Sequence, residues 1–270
     1  MPVNPSEIKK FVKQRYQDVA CKHTASDPHL RLLFSEKDSV EPLKVNYSEV
    51  EGYHQEADLG LACGIPTTYA KIAAGDTVLD LGSGLGNDTF IAAHMVGPTG
   101  KVLGVDIAES MQERAEALAM KFGVTQVEFK TEDIEDLSIA ANSIDVVISN
   151  NTINLIPDKA QAFKEIFRVL KPGGHFAVAD IVLLGTLPLE ISTHPELYVN
   201  CLAGAVLKEQ YLECIIAAGF EGIQIHIQKH LCIIEGQISQ YLPLEVVKSL
   251  NLGQIRLQNV VVVADKPIVA

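Results

Sequence analysis

Asp80 closes the apolar run Val78-Leu79 and is followed by glycine at every second position of a short loop, Gly82, Gly84 and Gly86. A side chain at such positions would hold a ligand away from the main chain, so this loop offers bare backbone N–H groups at close range. Its spacing narrows the ligand. A dinucleotide loop carries its third glycine three residues beyond the second, and here that position is Asn87. The loop suits a ligand without a pyrophosphate, which disfavours a nicotinamide-dependent dehydrogenase.

The elements that must position this loop follow in order. Lys101-Val102-Leu103-Gly104-Val105-Asp106 is a second buried-strand pattern ending in an acid, where a Rossmann-type sheet places the carboxylate that holds a ribose diol. Val127 to Lys130 runs into Glu132-Asp133-Ile134, and Ile144 to Ser149 ends in Asn150. The helical run Phe163 to Leu170 is stopped by Lys171-Pro172-Gly173-Gly174, and His175 to Asp180 makes a fifth strand. Ligands of open α/β sheets bind at the carboxyl ends of strands, where these polar endings fall.

The D-x-G-x-G-x-G loop and the segment "RVLKPGG" before a strand resemble the class I S-adenosylmethionine (SAM) methyltransferases. The resemblance implies an α/β, Rossmann-like fold with a mostly parallel sheet and an antiparallel edge strand. It also implies SAM as cofactor, with Asp106 on the ribose hydroxyls, Asp133 on the adenine amino group, Asp80 near the SAM amino group and Met111 on the adenine face. Gly82, Ser83, Gly84 and Asn87 of the loop, Ile107 and Ile134 beside the two acids, and Asn150 complete the expected cofactor set.

Composition agrees with a globular enzyme. The chain has 270 residues and 47% hydrophobic content, enough for one large core with additions. Asp and Glu number 34 against 22 Lys and Arg, a net charge of −12, which disfavours nucleic acid as a partner. No signal-like or membrane-spanning run is present, so the protein is expected in the cytosol, with its five cysteines reduced.

The chain divides into three stretches. Residues 1–60 read as a helix, capped by Asn4-Pro5 and running through Tyr16 and Val19, followed by a polar lid or flexible arm over 22–47. Residues 61–185 read as the SAM-binding core, entered by a helix after Pro66. Residues 186–270 read as substrate-side helices, one of them over 239–250, and the last two strands of the same sheet, near 222–234 and 258–264.

The methyl acceptor is addressed by a closer resemblance. "LGLACGIP" around Cys63, "GSGLGNDTF", "SNNTINLIPDK", "RVLKPGGHFAVADIVLLG" and "ELYVNCLAGAVLKEQYL" around Cys201 look like the arsenite methyltransferases, over roughly residues 50–225. The resemblance implies that Cys63 and Cys201 are thiolate ligands of substrate arsenic(III), a soft centre that prefers sulfur. A third family cysteine follows the asparagine after the fourth strand, and here that position is Asn151. A reduced thiol set then needs glutathione or another thiol to complete the coordination, or Cys21 if the arm folds over. The alternative is a small organic acceptor, as in quinone-type methyltransferases, with His175, His194 and Tyr198 as acid–base groups. A SAM-binding protein without catalysis is disfavoured by the intact loops.

Overall fold

The computed structural model describes residues 4–22, 34–36 and 43–268. In chain order these form α1 (Pro5–Lys22), β1 (Phe34–Glu36), β2 (Thr77–Leu81), α2 (Asn87–Val96), β3 (Lys101–Asp106), α3 (Glu109–Phe122), β4 (Val127–Thr131), β5 (Ile144–Asn150), α4 (Lys159–Val169) and β6 (Leu170–Leu183). The remainder is α5 (Leu189–Ser192), α6 (Pro195–Val199), α7 (Lys208–Ala217), β7 (Glu221–Ile233), α8 (Glu235–Ile238), α9 (Leu244–Ser249) and β8 (Leu257–Asp265).

One eight-stranded sheet runs in the order β1-β7-β8-β6-β5-β2-β3-β4. The five strands from β6 to β4 are parallel, whereas β8 pairs antiparallel with β6 and β7, and β1 antiparallel with β7. The central strands are continuous apolar runs because helices cover both faces. Val78, Val146, Ile148, Ala177 and Val261 face one core, which α2, α6 and α9 help to fill; Leu79, Val147, Phe176, Val178 and Val262 face the other, under α4 and α7. A third cluster joins Val19 and Ala20 of α1 to Met111, Ala115 and Ala119 of α3.

Helix ends follow local chemistry. The Asn4 side chain accepts the Ser6 N–H at 3.0 Å, and Asp158 caps α4 through the Gln161 N–H at 2.9 Å. Three expectations change. No helix forms between Pro66 and β2: a single 3₁₀ turn at Pro66–Thr68 ends before Lys71, whose φ of +45° is left-handed. Of the helix expected over 239–250 only α9 forms: it starts after Pro243, which has no N–H to donate, while α8 ends at Ile238, before that stretch. Within the stretch expected as a lid or arm, Phe34–Glu36 is β1, which takes the outer edge of the sheet; positions 23–33 and 37–42 lie outside the described residues.

Candidate active site

The parallel strands all end at one rim, and an open cleft lies there. Asp80, Gly82, Ser83, Gly84 and Asn87 line it from the glycine loop, Asp106 and Ile107 from the end of β3, Asp133 and Ile134 from the loop after β4, and Asn150 and Asn151 from the end of β5. The loop's shape requires its glycines. Gly82 has φ +72°, and a Cβ there would collide with the Thr152 side chain.

Asp106 is tied into this cradle. One carboxylate oxygen accepts the Gly84 N–H at 3.1 Å and the other the Ala108 N–H at 2.9 Å. Burial pushes its carboxyl up against the pull of these N–H groups, so the site wants a further donor. Asp80 lies deeper, accepting the Thr89 hydroxyl at 2.6 Å; burial, and then the charge of Asp88, push it up to about 8. Burial pushes Asp88 to about 6, although Asn150 and Tyr47 hydrogen-bond its carboxylate. Carboxyls raised by burial beside a bare glycine backbone fit an adenosyl ligand that carries an ammonium and a sulfonium. The buried Oδ1 of Asn87, which lacks a hydrogen-bond partner, adds an acceptor to the same wall.

Asn150 is the hub between this cleft and Cys63. Its Oδ1 accepts the Cys63 N–H at 3.0 Å and lies 3.7 Å from the sulfur. Its Nδ2 lies 2.8 Å from the Tyr47 hydroxyl, 2.8 Å from the Gly64 carbonyl and 2.9 Å from Asp88. Asn151 does the same for the next residues: its Nδ2 donates to the Leu61 carbonyl at 2.9 Å, while the Cys201 thiol meets its main-chain oxygen at 3.7 Å. Asn151 and Cys201 are both left-handed, at φ +59° and +63°. The two lie on separate segments, after β5 and after α6, and the left-handed backbone is costlier for Cys201 than for asparagine.

The structure therefore brings both cysteines to one asparagine pair, but neither sulfur lines the cleft. Both are buried, Cys63 in the main core and Cys201 against Val12, Leu155 and Val199. Burial, and then the charge of Asp180, push both thiols upward, so both carry protons at neutral pH. Behind them Asp180, pushed by burial to about 7, accepts the Tyr211 hydroxyl at 2.9 Å, and burial pulls Lys159 down to about 8.

Met111 also falls away from the wall. It is fully buried between α1 and α3, packed in the cluster with Val19, Leu85 and Phe90, because its side of α3 meets α1. Cys21 is exposed at the last turn of α1. His175 faces the Ala70 carbonyl, and His194 and Tyr198 line a separate apolar recess with Ile8 and Phe11; none of the three lines the cleft. Conversely, Lys9, Val12 and Tyr16 of α1 form a cleft wall that sequence reasoning missed. Their spacing along one helical face was the available signal. Lys9 bonds Asp133 and Glu135, each at 2.6 Å; burial works against its charge, but these two partners outweigh it. Asp88, in the helix after the glycine loop, was missed as well.

The chain is similar to several known proteins. An arsenite methyltransferase of Halobacterium salinarum is 36% identical over 232 residues, 82% of this chain and 59% of the relative. The chain thus spans about three-fifths of that protein's length. A demethylmenaquinone methyltransferase of Lactococcus lactis is 41% identical over 100 residues, 37% of this chain and 40% of the relative. The crystal structure of an arsenic(III) S-adenosylmethionine methyltransferase from Chlamydomonas reinhardtii superposes with a TM-score of 0.63 at 33% identity, covering 76% of this chain and 68% of the other. Residues 72–219, which carry the glycine loop, Asp106, Asp133 and the asparagine pair, match the family described as "Methyltransferase domain", and the chain belongs to it.

Proposed function

We propose that this chain is a SAM-dependent methyltransferase whose acceptor is arsenic(III) held by Cys63 and Cys201. The observation that carries the reading is the attachment of both cysteines to Asn150 and Asn151, which themselves line the cleft. The similarity to arsenite methyltransferases supports it over most of the chain.

SAM would supply a sulfonium methyl that is already electrophilic, so the protein has chiefly to align the acceptor and exclude water. Asp106 would accept the ribose hydroxyls, the Gly82–Gly84 backbone would embrace the amino-acid end, and Asp80 with Asp88 would neutralise the ammonium. Val12 and Tyr16 of α1, with Leu155 and Ile156, cover the cleft with apolar surface against water. Cys63 and Cys201 lie behind this wall, so the arsenic must part the contact between Asn151 and Cys201 to reach both sulfurs. The third arsenic ligand comes from solution, as a small thiol such as glutathione or as hydroxide. No helix among the described residues is long and apolar enough to cross a membrane, and we place the chain in the cytosol, where thiols stay reduced.

One observation favours an organic acceptor instead: both sulfurs stand off the cleft wall. Mass spectrometry of products after incubation with SAM, arsenite and glutathione separates the readings. Methylated arsenic is expected; SAM binding with no arsenical product would move the assignment to the organic acceptor.

A further inference from the structure

Asn151 is buried, 5% exposed, and most of its polar atoms are committed. Its N–H donates to the Ala179 carbonyl at 2.8 Å, its Nδ2 to the Leu61 carbonyl at 2.9 Å, and its own carbonyl meets the Cys201 thiol. The side-chain oxygen alone has no partner. The Leu61 carbonyl fixes which end of the amide this is, since the opposite orientation would set two acceptors against each other.

Asn151 does not stand alone. Asn259, whose Nδ2 donates to the Cys63 carbonyl at 2.5 Å, also has a buried oxygen without a partner. So does Asp180, which is close enough to both thiols for its charge to act on them. Buried acceptors without donors are uncommon, and the Asn151 oxygen, on the residue whose carbonyl meets the Cys201 thiol, fits a ligand that brings a hydroxyl. A third sulfur on arsenic would bring none.

We infer that this chain takes arsenic(III) as a dithiolate–hydroxide, Cys63 and Cys201 supplying the two sulfurs and the Asn151 side-chain oxygen accepting a hydrogen bond from the arsenic-bound hydroxide. The inference rests on the arsenic reading above and names the species that site holds. The ligand exchange balances: arsenous acid and two thiols give the dithiolate–hydroxide and two waters. Two As–O bonds break, two As–S bonds form, and each thiol proton leaves on a departing hydroxide. Arsenic stays trivalent with its lone pair free, as a methyl acceptor requires. On this view Asn151 replaces a sulfur ligand by holding an oxygen one. Its left-handed backbone suits asparagine better than most side chains.

Arsenic K-edge X-ray absorption on the full chain loaded with arsenite, without small thiol, reads the coordination directly. Two As–S and one As–O are expected for the wild type, unchanged by millimolar glutathione, and three As–S for Asn151→Cys. Asn151→Gly, which the backbone tolerates, should keep two As–S but bind arsenite about tenfold more weakly, as loss of one hydrogen bond implies. Three As–S in the wild type, with or without glutathione, overturns the hydroxide, as does unweakened binding by Asn151→Gly. Absence of any As–S signal overturns the arsenic reading itself, so the two failures are distinguishable.

Discussion

The side-chain oxygen of Asn150 accepts the main-chain N–H of Cys63 at 3.0 Å and lies 3.7 Å from its sulfur, while the amide nitrogen reaches Asp88 at 2.9 Å. One amide thus joins the floor of the cleft to the cysteine loop. Asn150→Ala should leave the Cys63 N–H unpaired and lower unfolding free energy by roughly 1–3 kcal/mol in urea titrations. Asn150→Asp should not rescue it, because the oxygen that replaces the amide nitrogen would meet the Asp88 carboxylate and the Gly64 carbonyl. Equal stability of Asn150→Ala and wild type would contradict the hub role.

Asp106→Ala removes a charged acceptor from the expected ribose position. A loss of about 1.5–3 kcal/mol for hydrogen bonds to a charged group corresponds to SAM affinity weakened about tenfold or more. Calorimetry gives the dissociation constant, and an unchanged value would remove Asp106 from the cofactor set.

The raised carboxyls of Asp80, about 8, and Asp88, about 6, predict a pH signature. In the free protein they retain protons that the unfolded chain has lost, so their contribution to stability is present in acid and is lost as pH rises from about 4 through 8. A cationic ligand favours the ionised pair. SAM binding at pH 7 should therefore release protons, visible as a buffer-dependent enthalpy, and affinity should climb between pH 6 and 8. Asp80→Asn should abolish most of the release; proton uptake in the wild type would contradict the pairing.

Much of this site was legible because strand ends in a parallel sheet converge. Asp80, Asp106 and Asn150 each closed an apolar run, and the sheet sets those ends on one rim. What stayed hidden depends on packing between distant segments. Lys9, Val12 and Tyr16 look like any amphipathic helix until α1 docks beside Asp133. Met111 sits at the expected turn of α3, but sequence spacing does not say that this side meets Val19 instead of a ligand. Asn150 and Asn151 read as a repeated amide; the Tyr47 and Leu61 contacts that give them separate tasks come from residues about 100 and 90 positions away. A three-residue strand such as Phe34–Glu36 leaves too short a pattern to announce its pairing with β7.

Transfer of a labelled methyl group from SAM to arsenite, measured for wild type beside Cys63→Ser and Cys201→Ser, tests the central claim most directly. Labelled methylarsenic from the wild type is expected. Each variant should still bind SAM with little change by calorimetry, while methylation falls at least a hundredfold through loss of one of two soft ligands. Methylation of arsenite that persists undiminished in both variants would contradict the account.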